Sequence, residues 1–207
     1  VLLDACHRFL LSKAQSARCS DALPELKAIH VDHQLSKNHS VWVAHCESFC
    51  AVRNIPLDII PVAIDTSGSV ELAARNARYQ AFECQIKTHN KKTMLLTAHH
   101  LDDQVETVLM RLFRGVGVRG VAAMRNDRYL ESVPVKRPLL NLSKRELRDY
   151  AEAYSLEWVE DDSNQNKDFD RNFLRHEVMP KVTERWPKAA ESISRFTAWA
   201  AESDQLS

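Results

Sequence analysis

Apolar and polar positions alternate along the chain with two periods, one typical of helices and the other of strands. A helical stripe begins at once, with apolar side chains at Leu2, Leu3, Cys6, Phe9 and Leu10. Short apolar runs predict strands at 27–31, 57–64 and 93–97, and helical patterns follow them at about 39–53, 71–89 and 101–114. This order with short connections predicts an α/β fold with a doubly wound parallel sheet.

After Leu130 the pattern becomes helical. Ser143 lies three residues before Glu146, which is the spacing of a capping box and predicts a helix over 143–154. A polar loop at 161–170 and helices at 171–185 and 188–202 form a C-terminal helical extension. Because no methionine or cap precedes the first helix, we expect the sequence to open inside a longer element.

Composition narrows the class of protein without fixing its function. The 207 residues include 28 basic and 28 acidic side chains, so any nucleic-acid site must be a local basic patch. No apolar run approaches the ~20 residues that span a bilayer, which predicts no membrane partner. Five cysteines without a CxxC pair are typical of reduced thiols, and we expect a cytoplasmic protein.

The strongest local signal lies where the third predicted strand meets the next helix. This segment carries two histidines, three acids and a threonine: His99, His100, Asp102, Asp103, Glu106 and Thr107. Carboxylates stabilise a helix N-terminus, but that explains one acid better than three. Asp102 and Glu106 are four residues apart and would repel each other, so a magnesium ion or a basic partner is expected. Zinc is the weaker alternative, since no cysteine lies nearby.

The helix before the third strand carries Glu71, Arg75 and Arg78. Arg75 falls inside the helix's apolar arc, and burial of an unpaired charge is costly. A structural ion pair with Glu71 across one turn and a functional role both remain open.

A glycine-rich segment, 114–120, has the letters of a dinucleotide fingerprint but follows a helix, so that interpretation fails. Gly115 is better explained as helix termination. The surrounding window holds five arginines against Asp127: Arg111, Arg114, Arg119, Arg125 and Arg128. This local charge predicts contact with a phosphate backbone, and an ordinary solvated surface is the alternative.

Two polar clusters follow in the last third of the chain. The first, Asp161, Asp162, Ser163 and Asn164, is by itself typical of a turn. The second contains Asn172, with Arg171 and Arg175 one helical turn apart, a spacing that suits joint binding of a phosphate.

Taken together, these residues resemble the tRNA(Ile)-lysidine synthetase family of N-type ATP-pyrophosphatases. The resemblance runs from Val1 to about Trp186 and rests on HVDHQL (30–35), ELAARNARY (71–79), TAHHLDDQVET (97–107), RGVGVRGVAAM (114–124), RPLL (137–140), and DDSN followed by RNFLR. It implies an adenine nucleotide alpha hydrolase-like fold. A catalytic domain would cover 1–185, with a helical linker at 186–207.

The resemblance implies that the wobble cytidine of tRNA(Ile), with a CAU anticodon, is adenylated by ATP and magnesium. Free L-lysine then displaces AMP. Asp102 and Asp103 would lie near magnesium, pyrophosphate or the lysine amine. Arg75 or Arg78, and Arg171 or Arg175, would hold phosphates. Residues lining the nucleotide or substrate would include His30, His33, Glu71, His99, His100, Glu106, Thr107, Gly115, Gly117, Asp161, Asp162, Ser163, Asn164 and Asn172.

Three departures from the family pattern stand out. An SGGxDS loop that cradles ATP phosphates is expected directly before Val1 and is not among these residues, so we expect the chain as given to bind ATP weakly or not at all. Gln34 stands where family members usually carry glycine, and it would be strained if the turn needs a positive φ. The C-terminal tRNA-recognition domains of longer members are also not among these residues.

Three alternatives differ in chemistry. A tRNA thiolation enzyme of the same superfamily would also activate a base with ATP, although many carry CxxC cysteines. A non-catalytic tRNA-binding fragment would bind tRNA without ATP, and a metal-dependent hydrolase would turn over without ATP. The oligomeric state, including a homodimer, stays open.

Overall fold

The computed structural model describes residues 1–16, 23–64, 70–87, 93–117, 120, 128–130 and 133–205. It divides into two compact units, one of Val1–Thr93 with Glu157–Val159 and the other of Met94–Leu156 with Glu160–Ser207. No helix within the described ranges has the length and apolar character that crossing a membrane requires.

The first unit alternates helices and strands in the predicted order. Its elements are α1 (Leu2–Ser16), β1 (Ala28–Asp32), α2 (His39–Val52), β2 (Leu57–Pro61) and α3 (Val70–Lys87). Strands β1 and β2 pair in parallel, from Ala28 opposite Leu57 to Asp32 opposite Pro61. The predicted second strand ran on to residue 64, but β2 ends at Pro61, and one further backbone hydrogen bond follows it, from the Val62 N–H to the carbonyl of Asp32 at 2.9 Å.

A buried ion pair joins α1 to the end of α2. Asp4 is 1% exposed, and its carboxylate accepts hydrogen bonds from Arg8 Nε at 2.6 Å and Arg53 Nε at 3.1 Å. The Arg53 guanidinium also lies 3.7 Å from the centroid of the Phe49 ring. Asp4 interrupts the apolar stripe of α1 because it anchors this helix electrostatically.

The second unit begins with β3 (Leu95–Leu96) and α4 (Leu101–Phe113) and continues with β4 (Arg128–Leu130), β5 (Val133–Lys136) and α5 (Lys144–Ala153). A 3-10 turn (Asp162–Gln165) precedes α6 (Asp170–Phe173), a π-turn (Leu174–Val178), α7 (Met179–Arg185) and α8 (Ala189–Gln205). The predicted helix over 171–185 is therefore one helical stretch with a π-turn inside it.

The sheet of the second unit is mixed. Strand β5 pairs in parallel with β3 and antiparallel with β4. The parallel pairs in both units confirm the predicted α/β class, whereas the β4–β5 hairpin was not predicted. Its strands are only three and four residues long, too short for a clear period, although Leu130 of β4 and Val133 and Val135 of β5 are buried.

Two predicted helix ends are confirmed. Gly115 has φ +72° and its N–H donates to the carbonyl of Leu112 at 3.0 Å, so glycine ends α4 in the left-handed region. At α5, Ser143 N–H donates to Glu146 Oε2 at 2.8 Å and Ser143 Oγ accepts from Glu146 N–H at 3.2 Å. This reciprocal pair is the expected capping box.

Candidate active site

The start of α4 orders the acidic segment. His100 is the residue that caps α4, and its backbone N–H donates to Asp103 Oδ2 at 3.1 Å, so this N–H has a hydrogen-bond partner. Asp102 Oδ2 accepts the N–H of Lys144 at 2.8 Å and lies 3.5 Å from His100 Nδ1. The His100 ring and the Lys144 N–H lower the pKa of Asp102 although burial opposes them. Asp102 is therefore an ionised acid at neutral pH.

Glu106 is the buried acid of the segment, only 1% exposed. Arg175 grips its carboxylate with both prongs, Nε to Oε1 at 2.7 Å and Nη2 to Oε2 at 2.9 Å. Arg171 Nε lies 3.4 Å from Oε2. Burial raises the pKa of Glu106, with Arg175 and Arg171 acting in the opposite direction. The sequence left open whether a magnesium ion or a basic side chain neutralises this segment, and Glu106 has basic side chains as its partners.

Arg171 is tied to the same helix by a second contact. Its Nη2 donates to Thr107 Oγ1 at 3.0 Å, and that hydroxyl donates to the carbonyl of Asp103 at 2.8 Å. We call Glu106, Thr107, Arg171, Arg175 and Asn164 the Glu106 cluster. The spacing of the two arginines, predicted to suit a phosphate, places both against one carboxylate.

Hydrogen bonds join the loop at 161–164 to the helical stretch that follows it. Asn172, 6% exposed, donates from Nδ2 to the carbonyls of Ser163 and Asn166, both at 2.8 Å. Asn164 Oδ1 accepts from Arg175 Nη1 at 3.4 Å. Asp161 Oδ1 accepts the N–H of Ser163 at 2.9 Å and so begins the 3-10 turn, whereas Asp162 is exposed. The turn interpretation of 161–164 is confirmed, and the turn also supports Arg175.

Arg175 and His176 lie in the π-turn. His176 Nε2 lies 2.8 Å from the carbonyl of Asn164, which fastens this turn to the 161–164 loop. Such π-turns are frequent at functional sites because they redirect side chains within a helix.

The end of β1 forms the second polar site, in the other unit. Asp32, 8% exposed, accepts the N–H of Gln34 on Oδ1 at 3.1 Å and faces His39 Nδ1 with Oδ2 at 3.0 Å. Gln34 has φ +54°, which confirms the expected strain at this position. Asp32 was not among the predicted site residues, although an acid at the carboxyl end of a strand was a signal for it.

The two predicted histidines of this segment have different surroundings. His30 Nδ1 lies 3.6 Å from Cys46 Sγ, and burial lowers the pKa of His30. Burial, followed by the charge of Arg78, lowers the pKa of His33. His33 Nδ1 is buried and has no hydrogen-bond partner among the described residues. Arg78 thus acts electrostatically on a predicted site histidine.

Helix α3 is more exposed than its apolar arc predicted. Leu72 is 57% exposed, and Arg75 is half-buried with its guanidinium 5.3 Å from the centroid of the Tyr79 ring. Glu71 is exposed at the start of the helix. The predicted apolar arc is therefore only partly buried, because Leu72 at its start reaches solvent while Tyr79 and Ile86 are half-buried.

Among the arginines predicted to contact a phosphate backbone, the side chains of Arg111 and Arg114 make contacts within the protein. Arg111 Nη1 donates to the carbonyl of Gly120 at 2.7 Å, while Arg114 is exposed and lies 3.8 Å from Asp170. Only the backbone of Arg128, in β4, is described. Arg119 and Arg125 lie outside the described residues.

Two further predicted site residues lie near the ends of α4. Gly117 has open space around its Cα. The His99 ring lies close to a threonine, with Nδ1 2.9 Å from Thr97 Oγ1.

In each unit, then, polar groups gather where a parallel strand ends and a helix approaches, the arrangement that α/β nucleotide-using domains share. The chain belongs to the PP-loop domain family, whose pattern matches residues 7–182.

Named relatives agree with this assignment. The chain is 47% identical over 193 residues to the tRNA(Ile)-lysidine synthase of Pseudomonas aeruginosa, a match that covers 93% of this chain and 43% of that protein. It is 46% identical over 182 residues to that of Edwardsiella ictaluri, with 87% and 41% covered. It is 43% identical over 187 residues to that of Haemophilus influenzae, with 89% and 43% covered. The chain thus spans about two fifths of the length of these relatives.

A solved structure supports the fold. The chain superposes on a U34-tRNA thiolase from Methanococcus maripaludis, solved with its 4Fe-4S cluster, at a TM-score of 0.75. The match covers 97% of this chain and 68% of that one, at 15% identity. Identity this low shows a shared fold and no more.

Proposed function

We propose that the gene product containing this chain converts the wobble cytidine of tRNA(Ile), with its CAU anticodon, to lysidine. ATP adenylates the cytidine and releases pyrophosphate, and the amine of free lysine then displaces AMP. The observation that carries the proposal is the Glu106 cluster, in which an acidic helix start and two arginines from a distant segment share one site. The names of the relatives supply the substrate class.

The Glu106 cluster suits a reaction that develops charge on phosphates. Arg175 is held by a bidentate pair and by Asn164, so its remaining donor directions are fixed before any ligand arrives. Preorganised charges of this kind stabilise a transition state without reorganisation at the moment of reaction. Arg171, 28% exposed, is the more accessible of the two cations. Arg75 and Arg78 on α3 are the proposed phosphate ligands of the other unit.

Asp102 and Asp103 fit a magnesium ion by their chemistry. Carboxylate oxygens are the ligands that magnesium prefers, and Asp102 is ionised and 45% exposed. Asp102 Oδ2 and Asp103 Oδ2 already accept backbone N–H groups, which fixes both carboxylates in place. Bound there, the ion would neutralise phosphate charge. The same two acids are the groups proposed to meet the lysine amine.

Lysine-dependent pyrophosphate release tests the proposal. The gene product that contains these residues is incubated with ATP, magnesium, lysine and a tRNA(Ile) transcript with a CAU anticodon. Asp103→Asn and Arg75→Ala should each lower lysine incorporation at least about 100-fold, because each removes a charge proposed to act on reacting groups. The exposed Glu184→Gln is the matched control and should retain full activity.

Full activity in both site variants would overturn the assignment of these residues. Reading the codons directly upstream of Val1 tests separately for the SGGxDS loop. Affinity for tRNA with no nucleotide affinity, in a product that carries that loop, would favour the binding-only alternative instead.

Thiolation of tRNA is the nearest alternative function, because a thiolase shares this fold. The sequence contains no CxxC pair. Four described cysteines, Cys6, Cys46, Cys50 and Cys84, are free thiols, and burial raises the pKa of Cys46 and Cys50. Cys46 and Cys50 are therefore poor sulfur carriers at neutral pH, because the thiolate is the reactive form. Sulfur incorporation into tRNA by the wild-type product would decide for thiolation.

A further inference from the structure

The turn after β1 holds a glutamine in a backbone conformation that glutamine rarely adopts. Gln34 has φ +54°, where its Cβ crowds the following carbonyl at a cost of about 1–2 kcal/mol. The turn is exposed at this residue, so packing around the Gln34 side chain does not impose the conformation. Some other contact must hold it.

Asp32 supplies that contact. Its Oδ1 accepts the Gln34 N–H at 3.1 Å, and its Oδ2 lies 3.0 Å from His39 Nδ1. An ionised carboxylate only accepts hydrogen bonds, so the His39 ring donates from Nδ1. Both oxygens of a buried acid are therefore used to fasten the turn on one side and the start of α2 on the other.

His33 lies between Asp32 and Gln34 in the chain, inside the turn that Asp32 fastens. Nδ1 of this ring is buried without a hydrogen-bond partner among the described residues. The ring is neutral at pH 7, since burial and the nearby charge of Arg78 both lower the pKa of His33. A neutral ring beside a cation suits a ligand that carries both anionic and hydrogen-bonding groups, as a nucleotide does.

We propose that Asp32 is a positioning residue, which holds residues 32–34 in the turn that presents the His33 ring to ATP. This inference rests on the proposed use of ATP. It makes Asp32 necessary only while residue 34 carries a side chain, because glycine adopts a positive φ without help.

A double-mutant experiment tests the inference in the gene product that contains this chain. Asp32→Ala should raise KM for ATP about tenfold with kcat nearly unchanged, the effect of losing one charge-assisted hydrogen bond from a binding turn. Asp32→Ala with Gln34→Gly should restore KM to within about twofold, since the strained residue is gone. Asp32→Asn keeps an acceptor for the Gln34 N–H and should stay near wild type. Asp58→Asn, an acid of the neighbouring strand paired with Lys27 at 2.6 Å, is the control.

A second variant covers the case in which Asp32→Ala does not fold. Gln34→Val leaves Asp32 intact and raises the cost of a positive φ, so it should also raise KM for ATP. An unchanged KM in Gln34→Val, or an Asp32→Ala defect that Gln34→Gly fails to repair, overturns the inference.

A readout without ATP separates this inference from the proposed function. In the ligand-free protein, Asp32→Ala should speed hydrogen exchange of the Gln34 amide and shift the ring-nitrogen resonances of His33 in NMR spectra. If these changes are seen but the wild-type protein does not use ATP, the proposed function is wrong and the role of Asp32 in holding the turn still stands. Unchanged resonances and exchange would sink the turn mechanism alone.

Discussion

Asp32, at the end of β1, and Glu106, within α4, are both buried acids, yet their partners come from different distances along the chain. Asp32 is bonded by residues two and seven positions later. Glu106 is bonded by Arg175, 69 positions later. The first arrangement is a local turn, and the second exists only when two distant segments pack together. The comparison shows that similar burial can rest on local geometry in one unit and on tertiary packing in the other.

The largest effect is expected from breaking the distant pair. Arg175→Ala leaves the Glu106 carboxylate, 1% exposed, without its bidentate partner, and should lower the free energy of unfolding by about 3 kcal/mol. Urea unfolding followed by circular dichroism measures this loss. Lys167→Ala removes a cation from an exposed pair with Glu177 in the same region and should cost under about 1 kcal/mol. Equal losses in the two variants would contradict the distinction.

A smaller effect is expected from Asn172, whose hydrogen bonds hold the loop that contacts Arg175 of the Glu106–Arg175 pair. Asn172→Ala removes two hydrogen bonds to backbone carbonyls and should cost about 2 kcal/mol in unfolding free energy. Ser163→Ala keeps the carbonyl that Asn172 uses, and its loss should stay below about 0.5 kcal/mol. If Ser163→Ala is as damaging as Asn172→Ala, the loop is held by contacts other than these.

Acid titration sharpens the local side of the comparison. Burial alone would raise the pKa of Asp32, but the Gln34 N–H and His39 lower it on balance from 3.8. A lowered pKa in the folded state means that the ionised acid contributes stability above pH 3.8, and that this contribution is lost as pH falls through the folded-state value. The stability gap between wild type and Asp32→Asn should be about 1 kcal/mol at pH 6 and close toward pH 2. A gap that widens on acidification would contradict the sign.

The smallest effect is expected from removing the strain at residue 34. Gln34→Gly relieves about 1–2 kcal/mol of left-handed strain but adds disorder to the unfolded chain, so a net gain of about 0.5–1 kcal/mol is expected. Thermal unfolding measures it as a rise in Tm. Gln34→Ala keeps a Cβ at φ +54° and should bring no gain. A gain with alanine as large as that with glycine would show that the glutamine side chain, rather than its backbone, is the source of strain.

Local signals in the sequence were sufficient for much of the fold. The capping box at Ser143 and the glycine end of α4 each depend on a few neighbouring residues, and both were predicted. The strain at Gln34 was expected from the family resemblance, in which glycine usually stands at this position. The β4–β5 hairpin escaped prediction because its short strands carry little periodicity of their own. The roles of Asp102, Asp103 and the arginines in catalysis stay predictions until the variants are measured.

The sequence by itself determined the order and type of the main elements, the helix ends and the segments that hold the candidate chemistry, because backbone preferences act over a few residues. Only the tertiary structure decided which of three neighbouring acids is buried and what neutralises it. Glu106 faces inward and Arg175 reaches it from a π-turn, whereas Asp102 stays half-exposed beside Lys144. Such pairing depends on how distant helices pack, since burial makes an unpaired charge costly wherever its partner lies in the sequence.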